Sequence, residues 1–381
     1  MLIDSKEVNS DQPISSDICI IGAGAAGITI AKAYLSSGVS VSLMESGAFN
    51  PDAETQDLYR GWTEFNDEEK RESYLLGSRL RYFGGTTNHW AGWCKLLDPI
   101  DFRKRDWVDH SGWPINESDL KPYYPGAAEI VEIDPFKDYS DEGRDCLGDQ
   151  AIIDSDNMCS KYFQFSPPTR FGRKYRRELV DSDNVKVYIN ANALRITLNE
   201  RGDDVKHVEF ETLTGVRFNV KAKAFIVATG GIENARLLLL SNKIQKNGIG
   251  NSYDQLGRYF MDHPHYPRAA NVVFSNTPGN LDKYDRSKNK KGVAALGFTD
   301  QMQQKNHLLN TAMQIIPKAG NSYELLNAGG AIGFFDALRT GQGGDGPFFV
   351  ELQMISELNP DPNNRIFLDN EVDRFGLQKA R

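Results

Sequence analysis

One turn constrains this chain more than any other feature: Gly22-Ala23-Gly24-Ala25-Ala26-Gly27, set between an isoleucine-rich run, Asp17–Ile21, and a helical pattern from about Ala25 to Ser37. The short β-branched run predicts a buried strand. Gly38 closes the helix, and Val39–Glu45 (VSVSLME) alternates like a second strand, so the segment reads as one β-α-β unit. In a G-x-G-x-x-G turn the first glycine permits the sharp bend, the second lets backbone approach a pyrophosphate, and the third lets helix and strand pack closely. The helix start adds free N–H groups and partial positive charge. Glu45 ends the second strand 23 residues after Gly22, placed to accept ribose hydroxyls and to repel a 2′-phosphate. Gly22, Gly24, Ala25, Gly27, Glu45 and Ser46 are therefore candidate dinucleotide-binding residues. The turn itself does not separate FAD from NAD.

The spacing of later signals does. A plain NAD domain continues at once with further β-α units, whereas here about 140 residues intervene before strand patterns return. Strands are expected at Val185–Ile189, Ala193–Leu198, Val205–Thr212, Arg217–Lys221 and Ala224–Ala228, and again near Ala269–Phe274, Phe348–Met354 and Arg365–Leu368. The run Ala224–Ala228 leads through Thr229-Gly230-Gly231 into a helix over Glu233–Leu240, which suits backbone pressed against a large cofactor and adds Thr229, Gly230 and Glu233 to the candidates. The expected fold is α/β: an FAD/NAD(P)-binding Rossmann-like domain with an interleaved α+β substrate domain on a mostly antiparallel sheet. The first is assigned residues 14–95 plus 180–262, the second 96–179 plus 263–381.

The formal net charge of −8 argues against a nucleic-acid partner, which needs a cationic face. Cys19, Cys94, Cys146 and Cys159 are scattered without metal-ligand or redox spacing, so neither zinc nor a disulfide framework is expected. The N-terminal stretch is polar, no apolar run approaches the roughly 20 residues that span a bilayer, and a cytoplasmic location is expected.

Glu45-Ser46-Gly47, Gly84-Gly85-Thr86-Thr87-Asn88-His89-Trp90, ATGGIENARLLLLSN (228–242) and LGRYFMDHP (256–264) occur in the order seen in the glucose–methanol–choline (GMC) oxidoreductases, which the chain resembles over nearly its whole length. Its flavour is similar to the branch holding pyranose oxidase and bacterial sugar or polyol dehydrogenases. The resemblance implies FAD as cofactor, backbone contact to adenine at Ala193, and residues 84–90 (Gly84, Gly85, Thr86, Asn88, His89 and Trp90 among them) against the isoalloxazine ring. It also implies two readings of His89: a covalent bond to the flavin, as in pyranose oxidase, or a histidine beside Trp90 with FAD held noncovalently.

The implied reaction is oxidation of a CH–OH group of a sugar, polyol or other alcohol, with hydride passing to flavin and a base taking the hydroxyl proton. The acceptor that reoxidises the flavin is left open. The family's catalytic histidine and its partner lie in the C-terminal segment, and no catalytic residue is expected within this chain. The last residues read as mid-strand, and an N-terminal fragment whose histidine pair lies beyond Arg381 is the expectation. A noncatalytic FAD-binding fragment and a different two-domain flavoenzyme are the alternatives. His263 and His265 flank Pro264 and are assigned a structural role. Trp107, Trp113, Tyr123 and Tyr124 are read as packing residues, and Pro167-Pro168 as fixing a loop over Ser166–Gly172.

Overall fold

In the computed structural model of this chain the isoleucine-rich run becomes the strand Ile14–Ile21. The structure describes residues 1–65, 69–70, 72–135, 147, 155–274, 281–317 and 348–381. They form two units, one made of Met1–Trp90, Thr169–Phe260 and Pro362–Arg381, the other of Ala91–Pro168 and Met261–Asp361.

A seven-stranded sheet organises the first unit, in the order Leu2–Asp4, Val185–Ile189, Val41–Met44, Ile14–Ile21, Arg217–Val227, Val205–Glu211, Asn192–Leu198. The first five run parallel and the last two are added antiparallel. Ile18–Ile21 align with Val41–Met44 on one side and Ala224–Val227 on the other, so the central strand is paired along both edges. Such a strand buries both faces, which explains its lack of alternation. Ile20, Ile28 and Leu43 have no exposed surface, each contributing about 1.5–3 kcal/mol of burial.

Three features differ from the sequence expectation. Arg217–Lys221 and Ala224–Ala228 are one continuous strand, Arg217–Val227, because its first half pairs antiparallel with Val205–Glu211 and its second half parallel with Ile14–Ile21. The polar leader contributes the edge strand Leu2–Asp4, and the Met1 ammonium donates to the carbonyls of Ser182 (3.1 Å) and Val185 (3.0 Å). The late strand is Leu368–Val372 rather than Arg365–Leu368, paired antiparallel with Gln378–Ala380. Residues 362–381 therefore group with the first unit and not with the second domain. The reason is local: Arg236 of the helix Gly231–Leu240 donates to the Gln378 carbonyl (2.8 Å) and pairs with Asp373 (2.7 Å), and Ala380 is buried with Leu75 and Ile232. The other boundaries also shift, to Trp90/Ala91 and Pro168/Thr169 from the expected 95/96 and 179/180.

The second unit is built on six strands in the order His265–Phe274, Phe348–Ser356, Thr311–Pro317, Gly292–Phe298, Met158–Phe165, Trp93–Cys94, every pair antiparallel. Leu281, Tyr284, Leu296, Met313, Ile315 and Val350 form its core. Met158–Phe165, Gly292–Phe298 and Thr311–Pro317 went unread in the sequence. In the first, Lys161 occupies a buried position and breaks the apolar pattern; its Nζ donates to Asp98 Oδ2 (2.7 Å) and to Asn310 Oδ1. Gly292–Phe298 is apolar throughout and does not alternate, a pattern strand and helix share. Trp107 stacks on His307 with ring centroids 6.1 Å apart, but Trp113 and Tyr123 are 60% and 72% exposed, contrary to the packing role expected of them. Cys19, Cys94 and Cys159 are free thiols, and Cys146 lies outside the described residues. Among the described residues no helix is long and apolar enough to cross a membrane.

Candidate functional site

Each glycine of the first turn meets a different environment. Gly22 has φ +101°, a left-handed conformation that side chains rarely adopt, and a Cβ on it would lie 2.6 Å from the Ala228 carbonyl oxygen. A Cβ on Gly27 would come within 1.9 Å of the Gly22 carbonyl oxygen, so helix and turn touch backbone to backbone. Gly24, which precedes the helix Ala25–Ala33, has no atom within 4 Å of its ideal Cβ. A Cβ there would project into open space, and Ala25 and Ala26 at the helix start are exposed. The mouth of the turn is thus unobstructed, with the orphan N–H groups of a helix start beside it.

Glu45 is buried, 5% exposed, and its carboxylate turns onto this loop: Oε2 accepts from Ala23 N–H (2.9 Å) and Oε1 from Gly47 N–H (2.9 Å) and Ser46 Oγ (3.2 Å). A carboxylate has about four lone-pair sites, so acceptor capacity remains for a ribose hydroxyl. Its backbone is held by the Tyr188 carbonyl and by Ala191 N–H. Ala193, half-buried, sits two residues further on and pairs with Phe210.

The second glycine pair is attached directly to the first turn. Gly84 N–H donates to the Ala23 carbonyl (2.8 Å), and a Cβ on Gly85 would lie 3.1 Å from Gly24 Cα. The backbone enters this segment beside Gly47, whose Cβ would strike the Arg81 carbonyl oxygen at 2.3 Å, passes Gly24, and continues as Thr86–Trp90. Gly85–Asn88 form one turn of 3-10 helix. Asn88 Nδ2 donates to the Phe83 carbonyl (3.0 Å), Thr87 Oγ1 to the Gly84 carbonyl (2.6 Å), and Trp90 Nε1 to the Thr169 carbonyl (2.9 Å). Thr86 and His89 are exposed, and the His89 imidazole makes no hydrogen bond among the described residues.

Thr229 and Gly230 lie at the start of the helix Gly231–Leu240. Thr229 N–H and Oγ1 both donate to Asn234 Oδ1 (2.9 and 2.7 Å), and Gly230 has φ +89° with open space at its Cβ. Glu233 is committed elsewhere. Its carboxylate accepts from Arg79 (2.9 Å), Arg236 (3.3 Å) and Arg81 (3.5 Å) in a site where it is 7% exposed. Burial pushes its pKa up, but the guanidiniums of Arg236, Arg79 and Arg81 outweigh that and hold it at about 2. Arg79 and Arg81 also stack on Tyr59, with guanidinium carbons 4.0 and 4.8 Å from the ring centroid. The sequence signal for this network was the pair Arg79 and Arg81 immediately before the glycines, and it went unread, as did Arg170, whose Nη1 donates to the carbonyls of Thr87 and Trp90, both at 2.9 Å.

The second unit holds His263 and His265. His263 Nδ1 and His265 Nε2 are 2.7 Å apart, both rings exposed, and burial together with His263 lowers the His265 pKa. Among the described residues no group of three or more His, Cys, Asp or Glu is placed to hold a metal.

No family model matches the chain. It is 24% identical to the 2-methyl-1,2-propanediol dehydrogenase of Mycolicibacterium austroafricanum, across 65% of this chain and 55% of that protein. It is likewise 24% identical to the fructose dehydrogenase large subunit of Gluconobacter japonicus, across 67% and 60%, and 25% identical to the paromamine 6'-oxidase of Streptomyces fradiae, across 64% and 52%. The chain thus spans little more than half the length of these curated relatives. Among solved structures, pyridoxine 4-oxidase from Mesorbium loti superposes with a TM-score of 0.53 at 15% identity, covering 96% of this chain and 75% of that one, a likeness of fold. In sequence the chain is thus similar, at low identity, to these dehydrogenases and oxidases, and in fold to pyridoxine 4-oxidase, a likeness in keeping with its resemblance to the glucose–methanol–choline oxidoreductases.

Proposed function

We propose that this chain binds FAD and serves an oxidoreductase acting on the CH–OH group of a sugar, polyol or other small alcohol. The observation that carries the reading is the open mouth at Gly24, closed in by backbone at Gly22 and Gly27 and faced by the Glu45 carboxylate. In it the helix-start N–H groups would hold the pyrophosphate, Glu45 and Ser46 would hold the adenosine ribose, and backbone near Ala193 would meet the adenine. Thr86, Asn88, His89 and Trp90 would serve the flavin half, and Thr229 and Gly230 offer a second open helix start. Bound FAD would accept the hydrogen of the breaking C–H bond together with its electron pair, the hydroxyl proton would pass to a base, and the C–OH carbon would become a carbonyl.

The names of the relatives, dehydrogenases of a diol and of fructose, support the hydroxylated substrate class. A cytoplasmic location belongs to the same reading. The test is direct titration of the purified chain with FAD, followed by quenching of flavin fluorescence and by the visible spectrum. Saturable uptake with a resolved, shifted absorption band is expected; a chain that stays colourless after gel filtration with excess FAD overturns the assignment.

A further inference from the structure

The segment Ser166–Gly172, a loop that enters a helical turn at Phe171, stands out in the sequence only by its prolines, yet its second half does specific work in the first unit. Arg170 Nη1 donates to two carbonyls, Thr87 and Trp90, each at 2.9 Å. These carbonyls flank Asn88 and His89 at the end of the 3-10 turn, where backbone oxygens have no partner within the turn. A second tie runs between the same segments: Phe171 N–H donates to Thr87 Oγ1 (3.2 Å). A Cβ on Gly172 would lie 2.1 Å from the Phe83 carbonyl oxygen, so the two backbones are in contact. Arg170 is itself fixed, its carbonyl accepting from Arg173 N–H (2.9 Å) and Lys174 N–H (2.8 Å).

We propose that Arg170 is a positioning residue that fixes the Asn88–His89 backbone for contact with the flavin half of the cofactor, while the ADP half is held independently by the Gly22–Gly27 turn and Glu45. This rests on the FAD reading above. Asn88 is already tied to Phe83, so pinning residues 87 and 90 leaves the His89 imidazole exposed on a fixed backbone. A guanidinium suits the task because its donors lie in one rigid plane, whereas an ammonium on a flexible stem holds two carbonyls less strictly.

The experiment compares FAD and ADP binding by the wild-type chain and by Arg170→Met, Arg170→Lys and Thr87→Val, with the visible circular dichroism of bound flavin as a conformational readout. Arg170→Met is expected to weaken FAD at least about tenfold, to leave ADP within about twofold, and to change the shape of the flavin dichroism bands. Arg170→Lys should recover part of the FAD affinity, and Thr87→Val, which removes the second tie and the Thr87 Oγ1–Gly84 bond but leaves the guanidinium in place, should show a smaller loss of the same pattern. Equal weakening of FAD and ADP would mean that Arg170 merely supports the fold, and unchanged FAD binding would mean it does nothing for the cofactor; either result overturns the proposal. Should Arg170→Met fail to fold, the Lys and Val variants decide by the same ratio. A wild-type chain that takes up ADP but not FAD defeats the flavin reading itself, an outcome distinct from the other two.

Discussion

A methyl group added at Gly24 meets no atom within 4 Å, while one added at Gly27 comes within 1.9 Å of a carbonyl oxygen. The two glycines share a turn, but of the two only Gly27 is required by the packing of the fold itself. Gly24→Ala is therefore expected to leave thermal stability nearly unchanged and to weaken FAD by at least about tenfold, near 1.4 kcal/mol. Gly27→Ala should cost about 1–3 kcal/mol of stability as helix and turn are forced apart. Thermal melts and FAD titrations on the two variants separate the roles, and a Gly24→Ala protein that binds FAD normally would show that the open space there is not where the phosphates sit. His89 admits an equally sharp test. If FAD is held noncovalently, acid precipitation frees all the yellow colour into the supernatant; colour that stays with the polypeptide and vanishes in His89→Ala assigns a covalent bond to that imidazole.

At the scale of elements, the helix Gly231–Leu240 is tied to its surroundings by charge. Glu233 in its first turn gathers Arg79, Arg81 and Arg236, and Arg236 reaches on to Asp373 beside the C-terminal hairpin. Removing the shared carboxylate with Glu233→Gln leaves buried guanidiniums without their counter-charge, at a cost of about 3–5 kcal/mol. The sign with pH follows from the depressed pKa. Unfolded, Glu233 titrates near 4.5, and folded at about 2, so its contribution is complete above pH 4.5 and is lost as pH falls towards 2. Denaturant melts should show the wild type losing stability through this window more steeply than Glu233→Gln; parallel curves would mean that the network contributes nothing. Glu233 also marks where reading the sequence stops. Its place after Thr229-Gly230-Gly231 suggested contact with a cofactor, but Arg79 and Arg81, which pair with it, are about 150 residues earlier, and Arg236 beside it is held by Asp373 about 140 residues further on. The β-α-β unit was legible because strand, turn and helix there are contiguous and each residue type has a local reason. The strands of the second unit were not, since Lys161 inside Met158–Phe165 makes sense only once Asp98 and Asn310 are brought beside it.

For the chain as a whole, the division into units is interleaved: 1–90, 169–260 and 362–381 in one, 91–168 and 261–361 in the other. The proposed cofactor residues draw on two of the first unit's three stretches, Gly22 to Trp90 and Ala193 to Gly230, which meet where Gly22 approaches Ala228 and where Glu45 is bonded to Ala191. A ligand that binds only the folded form stabilises it by about 2.7 kcal/mol at one hundred times its dissociation constant. Because that gain is shared by strands far apart in sequence, it has a recognisable pattern in hydrogen exchange. FAD should slow exchange in peptides covering Ile18–Thr29, Met44–Gly47 and Gly84–Trp90, and also in those covering Tyr188–Ala193 and Ala228–Asn234. ADP should protect the first two and the Tyr188–Ala193 peptide while leaving Thr86–Trp90 nearly as it was. Protection confined to the Gly22 turn with either ligand would mean that the later stretch contributes scaffold but no contact, and would remove Ala193, Thr229 and Gly230 from the site.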